Sequence, residues 1–175
     1  MKLLSLTILL FFITGCSMAI EGKKYLSSQV TFKPKEFFNG DIKAWGIVQD
    51  RKGNITQQFT VDIVGKVDGN QIVLDETFDY LAGEGVIQRT WTISVDPQEE
   101  EFLGKANDVD SATGQIFGNA MHWAYSMDIP YKGDTIEVAF EDWMWAFDSD
   151  HLINRSYIKK FGFVVAEVTL FMQKI

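Results

Sequence analysis

The sequence contains few of the residues that usually mark metal sites or cross-linked folds. Among its 175 residues are one cysteine, two histidines and three prolines. A lone cysteine cannot form an intramolecular disulfide, so the stability of the fold has to come from a hydrophobic core. Neither His122 nor His151 belongs to a recognisable metal-binding motif. The sequence therefore predicts no bound metal and no cofactor.

Basic side chains are also scarce relative to acidic ones. The chain has 16 lysines and arginines against 24 aspartates and glutamates, which gives a formal net charge of -8. No run of lysine and arginine forms the basic stripe that nucleic-acid-binding proteins present. The sequence therefore predicts no nucleic-acid partner.

The chain lacks a hydrophobic run long enough to cross a bilayer as a helix. Its most apolar segment, residues 3–13, is shorter than the roughly 20 residues that a spanning helix requires. The segment follows Lys2 and leads through Ile13, Thr14 and Gly15 to Cys16. A positive start, a short apolar stretch and a small residue before a cysteine resemble the signal of a bacterial lipoprotein.

This resemblance implies a division of the chain and a location. Residues 1–15 are expected to be a cleaved signal peptide, residues 16–38 a tether and lead-in that begins with an acylated Cys16, and residues 39–175 the folded domain. Ser17 after the cysteine implies a lipid anchor in the bacterial outer membrane, with the domain facing the periplasm. The membrane is then the first expected partner. The alternative is a buried, inert thiol in an ordinary signal peptide or in a short N-terminal anchor.

From residue 40 onward, apolar and polar residues alternate in short runs that end at turn-forming groups such as Asp68-Gly69-Asn70. This pattern predicts an all-β domain, a single antiparallel meander of about 8–10 strands that closes into a lipocalin-like barrel, because closure hides the strand edges. A two-sheet β-sandwich is the alternative. The predicted runs are 41–50, 55–66, 71–81, 86–96, 101–106, 112–118, 119–129, 134–147, 151–160 and 163–174.

Two charged side chains lie on apolar faces of neighbouring runs. Side chains two residues apart share a face of a strand, so Glu76 lies with Leu74 and Phe78, and Arg89 lies with Trp91. A hairpin between the two runs would place Glu76 opposite Arg89. The sequence thus predicts an ion pair inside the barrel.

The same alternation predicts a second pair. Asp142 lies on an apolar face, and a hairpin that turns near Asp148 and Ser149 would bring it opposite Arg155. Both pairs have a structural interpretation, as buried ion pairs that set the strand register. In the functional interpretation an arginine neutralises an acidic lipid head group, or a carboxyl group acts as an acid or base. The candidate ligand-binding residues are Arg89, Arg155, Glu76, Asp142 and Trp91, and the candidate catalytic residues are Glu76 and Asp142.

An aromatic stripe is the other unusual feature. Trp143, Trp145 and Phe147 share the face opposite to that of Asp142. Such a stripe can pack beneath the lead-in, contact the membrane interface, or bind a protein partner in the cell envelope.

Several segments together resemble the uncharacterised bacterial lipoprotein family known as domain of unknown function 3833. The resemblance covers about residues 38–174 and implies a lipoprotein, but it carries no activity with it. Similarity to lipocalins rests on architecture alone. The segments are 46–53, Glu76 with Phe78 and Tyr80, Arg89 with Trp91, GKANDVDSATGQIFGNAMHWAY from Gly104, Asp142-Trp143-Met144, Asn154-Arg155-Ser156 and Lys160-Phe161-Gly162.

The sequence supports one leading function and two alternatives. The leading one is a membrane-anchored envelope lipoprotein that binds or shuttles an acyl lipid or similar amphipathic ligand in its barrel. The first alternative is a lipid-modifying isomerase or hydrolase that uses an interior carboxylate. The second is a non-catalytic scaffold that binds an envelope protein through Trp143 and Trp145.

Overall fold

The structure of the chain is a computed structural model that describes residues 20–82 and 85–175. The predicted signal peptide and Cys16 lie outside the described residues, as do Gly83 and Glu84 in one of the turns. None of the helices in the described part has the length and hydrophobicity of a membrane span.

The described residues contain ten antiparallel strands, each hydrogen-bonded to the next, and the last strand pairs with the first. The predicted meander and its closure into a barrel are confirmed, and the sandwich alternative is wrong. Each strand agrees with a predicted run to within three residues at either end. The strands are β1 (Gly40–Asp50), β2 (Ile55–Asp68), β3 (Gln71–Tyr80), β4 (Val86–Val95), β5 (Glu101–Ala106), β6 (Val109–Phe117), β7 (Ala120–Tyr131), β8 (Asp134–Ala146), β9 (His151–Lys160) and β10 (Phe163–Lys174).

The strands form because apolar side chains recur at every second residue. On β2, Phe59, Val61 and Ile63 point inward and are buried. Asp62, between them, faces solvent and forms an ion pair with Lys43 of β1 at 2.7 Å. The inward side chains of all the strands meet in one core inside the barrel, and their removal from water is the main stabilising term.

The lead-in closes one end of the barrel. A one-turn helix, α1 (Pro34–Phe37), starts at a proline, which suits the first helical position because its missing N–H is not needed there. Phe32, Phe37 and Phe38 are buried at this end, and their ring centroids lie 5.2–6.0 Å apart. Phe32, Phe37 and Phe38, which belong to the expected tether and lead-in, are therefore part of the core.

Two glycine positions allow these close contacts. A Cβ atom on Gly65 of β2 would lie 1.8 Å from the carbonyl oxygen of Phe38, so a larger residue would push the lead-in off the barrel. A Cβ atom on Gly104 of β5 would lie 2.5 Å from the ring of Trp123. The missing side chains make room for the lead-in backbone and for a tryptophan in the core.

The opposite end of the barrel is open. We call the end with the β2–β3, β4–β5, β6–β7 and β8–β9 turns the closed end, and the other the open end. Inward-facing Ile42, Ile72 and Leu152 near the closed end are at most 2% exposed. Several inward-facing residues nearer the open end are only partly buried, so solvent reaches that half of the interior. They are Val48, Phe78, Tyr80, Tyr125, Phe140 and Leu170.

The start of the lead-in covers part of the outer wall. A short 3-10 helix, Gly22–Tyr25, lies on β6 and β7. The ring of Tyr25 is 6.2 Å from that of Trp143 and 6.1 Å from that of Trp145. Trp143 is 4% exposed and packs with Ala120 and Tyr157 in a second hydrophobic cluster, outside the barrel.

We expect Phe37→Ala to lower the free energy of unfolding by about 3–5 kcal/mol, because it leaves a cavity beneath the lead-in. Phe147→Ala is the matched control, since Phe147 is 59% exposed at the same end, and its effect should stay within about 0.5 kcal/mol. Urea denaturation measures both. Equal effects would mean that the lead-in does not contribute to the folded core.

Candidate functional site

The β3–β4 hairpin places Glu76 directly opposite Arg89, in the register that the sequence predicts. The predicted ion pair between them does not form, because the Arg89 guanidinium pairs with Asp108 in the β5–β6 turn. Arg89 Nε lies 3.0 Å from both carboxylate oxygens of Asp108, and Nη2 lies 2.8 Å from Oδ2. This forked geometry makes the pair strong and compensates the charge of the arginine.

The second predicted pair is wrong by one residue. Asp142 of β8 lies opposite Ser156 of β9, and Arg155 lies opposite Trp143. Because side chains alternate between the two faces of a sheet, this shift places Arg155 on the outer surface and Asp142 in the interior. Arg155 there pairs with Glu167 of β10. It is therefore not part of the interior site.

The turn between β8 and β9 explains the shift. The backbone N–H of Phe147 donates to the carbonyl of His151, so three residues, 148–150, form the loop instead of the two that the sequence suggested. The Asp148 carboxylate stabilises this loop by accepting hydrogen bonds from the backbone N–H groups of Asp150 and His151, both at 2.8 Å. The additional loop residue shifts the pairing of β9 by one residue, so the other set of alternate β9 side chains faces the interior.

Asp142 is buried beside two other polar side chains. Asp142, Asn154 and Ser156 are 7%, 4% and 5% exposed, and all three point into the barrel. The Ser156 hydroxyl donates to Asn154 Oδ1 at 3.1 Å. Within the described residues, Asp142 Oδ1 and Asn154 Nδ2 have no hydrogen-bond partner. Such unpaired buried atoms cost free energy unless a ligand or water satisfies them.

Burial raises the pKa of both interior carboxyl groups. The pKa of Glu76 rises to about 7 because it is removed from bulk water, although Arg89 and a hydrogen bond from Trp91 lower it. Burial also raises the pKa of Asp142 to about 7, although hydrogen bonding with Ser156 and the positive charge of Arg89 lower it. Both groups therefore change protonation near neutral pH.

Tyr125 of β7 lies among these charged groups. Its pKa is raised well above the usual value, first by burial and then by the negative charge of Asp142. Arg89, Glu76 and Asp108 also act on it electrostatically. We call these residues together the interior polar cluster, which comprises Glu76, Arg89, Asp108, Tyr125, Asp142, Asn154 and Ser156.

Aromatic side chains form the apolar surroundings of this cluster. Trp91, predicted as a ligand-binding residue, is 5% exposed. Its ring lies 5.5 Å from Trp123 and 5.3 Å from Tyr125, both edge-on. Tyr125 in turn stacks on Phe140 at 4.9 Å. A flat or chain-like apolar group can pack against such a surface.

The barrel wall opens beside the cluster. Strands β6 and β7 pair only from Ala112 and Tyr125 towards the closed end, so they separate near the open end. A groove of about 1020 Å³ lies on the outer face of β7 and β8 beside this separation. Outward-facing Ala124, Ser126 and Glu141 line it, together with Asp108, Tyr125, Met127 and Phe140 at the gap. Arg89 Nη2 is 3.4 Å from Met127 Sδ, directly behind this lining. The groove therefore borders the gap in the wall, on the solvent side of the interior polar cluster.

The interior polar cluster offers hydrogen-bonding groups to a ligand. Within residues 20–82 and 85–175, no three His, Cys, Asp or Glu side chains are placed to hold a metal ion. The cluster offers an amide donor at Asn154, and carboxyl groups at Glu76 and Asp142 that donate or accept according to protonation.

The outer aromatic stripe has the position that the sequence predicts, on the face opposite to that of Asp142. Packing under the lead-in, one of the three predicted roles, is what occurs at Trp143. Trp145 remains half-buried, and Phe147 is exposed. Binding of an envelope protein through Trp143 and Trp145 stays a prediction.

Several residues of the cluster escaped sequence analysis. Asn154 and Ser156 lie between Leu152 and Ile158 on one face of a predicted strand, so the alternation that identified Glu76 could have identified them. The sequence prediction used the opposite face of β9, which contains Arg155. Asp108 lies in a turn, two residues beyond the last β4–β5 pair, and extending the register that places Trp91 opposite Ala106 would have placed it opposite Arg89.

We expect Glu76→Gln to reduce the loss of stability with rising pH. The folded protein keeps the Glu76 proton up to about pH 7, whereas an unfolded chain releases it near the ordinary pKa of 4.5. Unfolding therefore releases a proton between these values, and the wild type loses roughly 3 kcal/mol through this group as pH rises from about 4.5 to 7. Glutamine cannot ionise, so the variant should escape that loss.

Chemical denaturation across pH 4–8 measures this effect. Asp79→Asn is the control, because Asp79 is exposed on the same strand, and it should keep the wild-type slope. Parallel stability curves for Glu76→Gln and the wild type would contradict the raised pKa.

Comparison with known structures shows similar barrels. A protein of unknown function from the DUF3598 family of Nostoc punctiforme PCC 73102 has a TM-score of 0.59 at 10% identity, over 84% of this chain and 51% of that one. The present chain thus spans about half the length of that protein. The S-type phycobiliprotein lyase CPES from Guillardia theta has a TM-score of 0.54 at 10% identity, over 79% of this chain and 87% of that one. At this identity the likeness concerns the fold alone.

Sequence comparison supplies the family. No curated protein matches the sequence. The family described as protein of unknown function (DUF3833) matches residues 10–174, nearly the whole chain, and its first matched residues lie in the apolar N-terminal segment. The chain belongs to the DUF3833 family.

Proposed function

We propose that this protein is a membrane-anchored lipoprotein whose barrel binds an acyl lipid or a similar amphipathic ligand, with the ligand head group at the interior polar cluster. The observation that carries the proposal is the pair of buried atoms without partners, Asp142 Oδ1 and Asn154 Nδ2, among the described residues. Leaving such atoms unpaired costs about 1–3 kcal/mol each. A head group that bonds to both recovers this free energy on binding.

The charges of the cluster select the type of head group. Arg89 is compensated by Asp108, and Glu76 and Asp142 add two more carboxyl groups. An anionic head group would therefore face like charges, unlike the acidic head group that the sequence suggested. An uncharged hydroxyl or amide head group, or an amine, fits the available donors and acceptors.

The apolar part of the ligand would lie against the aromatic side chains near the open end. Phe78, Tyr80 and Phe140 are inward-facing and only partly buried, so a ligand can remove further apolar surface from water there. The gap between β6 and β7 provides a route of entry beside Asp108. A polar cluster within an apolar lining is the usual composition of a small-molecule site.

Catalysis by the same cluster is the second candidate. The pKa values of about 7 at Glu76 and Asp142 suit a general acid or base at neutral pH, which is the observation that favours it. Release of dodecanoate from monododecanoylglycerol, abolished in Glu76→Gln while binding persists, would support a hydrolase. Binding without release would leave the carrier function.

Binding can be tested with a series of single-chain amphipaths that share a dodecyl tail. Isothermal titration calorimetry should detect the glycerol and amine head groups and much weaker binding of the carboxylate. Asn154→Leu, which keeps the side-chain size but removes the amide, should weaken binding at least about tenfold, or about 1.4 kcal/mol. Asp142→Asn should likewise weaken binding of the amphipath with the amine head group.

Arg155→Gln is the matched control for this experiment, because Arg155 is the next residue along β9 and faces outward. Its affinity should equal that of the wild type. Absence of binding for every head group, or equal affinities in Asn154→Leu and the wild type, would rule out the site.

Anchoring is tested separately at Cys16. If the N-terminal segment is a lipoprotein signal, Cys16→Ser should abolish acylation and leave the precursor unprocessed or release the domain from the outer membrane. Mass spectrometry of the mature N-terminus and membrane fractionation of the cells measure this. Ser17→Thr, beside the cysteine, is a conservative control that should keep the acyl groups. Normal membrane recovery of Cys16→Ser would contradict the anchor.

A further inference from the structure

Ser156 fixes the orientation of the Asn154 side chain. Its hydroxyl donates to Asn154 Oδ1 at 3.1 Å, so the amide oxygen faces Ser156 and the amide nitrogen is directed elsewhere. Asn154 Nδ2 is buried and, in the part of the chain that the structure describes, has no acceptor. Asn154 therefore presents to the interior a hydrogen-bond donor whose position is set by its neighbour.

Asp142 presents an acceptor beside this donor. It lies directly opposite Ser156 across the β8–β9 pair, and Asn154 is two residues from Ser156 on the same face. With the Ser156 hydrogen donated to Asn154, Asp142 Oδ1 has no donor among residues 20–82 and 85–175. A carboxyl group keeps at least one acceptor oxygen whether it is neutral or ionised. A donor and an acceptor thus lie side by side, on side chains that are at most 7% exposed.

Both groups project from the same patch of the barrel wall. Strands β8 and β9 are adjacent, and the side chains on one face of a sheet stand roughly perpendicular to it. A ligand inside the barrel meets this patch from one side only. Its acceptor for Asn154 and its donor for Asp142 must therefore lie on the same edge of the ligand and point in the same direction.

Head groups differ in whether they can meet this requirement. A carboxylate has no donor, an ammonium group has no acceptor, and a lactone or ester has no donor. An ordinary secondary amide is trans, so its N–H and C=O lie on opposite edges. In a lactam ring or a primary carboxamide, an N–H and the C=O share one edge of one plane. They need no bond rotation to be frozen, unlike the two hydroxyls of a glycerol head group.

The surroundings of the patch suit a planar, neutral group. Phe140 is two residues from Asp142 on the same face of β8, and its ring stacks on Tyr125 with 2° between the planes. Tyr125 in turn meets Trp91 edge-on at 5.3 Å. Burial raises the pKa of Asp142 to about 7, so the neutral carboxyl is well populated near neutral pH and does not demand a cationic partner.

We propose that the ligand head group is a cis-amide, either a lactam ring or a primary carboxamide, whose carbonyl accepts from Asn154 Nδ2 and whose N–H donates to Asp142 Oδ1. This inference rests on the proposed function, which places an amphipathic ligand in the barrel, and narrows the head group to one class. The planar group lies at the β8–β9 wall beside Phe140, and the tail extends towards the open end. Ser156 is a positioning residue, because it orients Asn154 without bonding to the ligand.

Four ligands with an octyl tail test the inference on the full-length chain. The lactam 5-octyl-2-pyrrolidinone has the required edge, and the matched lactone, 5-octyloxolan-2-one, replaces only its N–H by oxygen. Nonanamide has the edge, whereas N-methylnonanamide is a trans amide. Isothermal titration calorimetry should give at least about tenfold tighter binding for the lactam than for the lactone, and for nonanamide than for N-methylnonanamide.

Proton NMR of nonanamide labelled with nitrogen-15 identifies the hydrogen that bonds to the protein. Its two N–H protons are distinct, and only the one on the carbonyl side shares an edge with the C=O. That proton should move downfield on binding, while the other keeps its shift. Movement of the other proton alone would contradict the cis edge.

Variants at Asp142 identify the acceptor. Asp142→Asn keeps an oxygen at this place and should retain the preference for lactam over lactone, although it weakens binding of an amine. Asp142→Leu removes the acceptor and should make the lactam and the lactone bind equally. Arg155→Gln, next to Ser156 but on the outer face, is the matched control and should keep the wild-type ratio. If Asp142→Leu does not fold, the wild-type ratios and Asp142→Asn still decide.

Failure of this inference differs from failure of the proposed function. Equal affinities of the wild type for the lactam and the lactone, or for nonanamide and N-methylnonanamide, would overturn the cis-amide and leave binding in the barrel intact. Absence of binding by all four ligands and by the amphipath with the glycerol head group would overturn both.

Discussion

Pairing between β1 and β10 is the interaction on which the rest of the structure depends. It runs from Ile42 opposite Lys174 to Asp50 opposite Ala166. Without it the meander would be an open sheet with two long unpaired edges and no enclosed core. Closure brings every second side chain of the strands into one interior, whatever its polarity. For this reason the charge of Asp142 raises the pKa of Glu76, although their strands do not pair with each other.

Inside the barrel, a side chain keeps its charge at low cost only where a partner of opposite charge compensates it. Arg89 keeps its charge because Asp108 reaches it from a turn at the mouth. Glu76 and Asp142 have no such partner among the described residues, and their pKa values rise to about 7. Near neutral pH both carboxyl groups are therefore partly protonated, which lowers the cost of burying them. Within the described chain, Asp142 Oδ1 and Asn154 Nδ2 have no partner and are available to bond to a ligand.

The two ends of the barrel have different physical roles. At the closed end, Phe32, Phe37 and Phe38 remove the interior from water, and Gly65 allows the lead-in backbone to approach closely. At the open end the wall separates between β6 and β7, and inward-facing aromatic side chains keep contact with solvent. The closed half of the barrel thus provides stability, and the open half gives access to the interior. An amphipathic ligand would therefore extend the hydrophobic core only in the open half.

The amino-acid sequence by itself determined the strands, the meander and which faces of the strands are apolar, because alternation and turn residues act locally. It also identified Glu76, Arg89 and Trp91 as interior residues, since the β3–β4 register follows directly from their hairpin. Only the tertiary structure decided that Asp142 meets Ser156 while Arg155 faces outward, because one residue more in the β8–β9 loop reverses the faces. It likewise decided that Asp108 takes Arg89 and that Tyr125 joins the cluster. Asp108 reaches Arg89 because it continues the β4–β5 register beyond the last pair. Tyr125 lies three strands away from Arg89, and closure of the barrel is what brings it to the cluster.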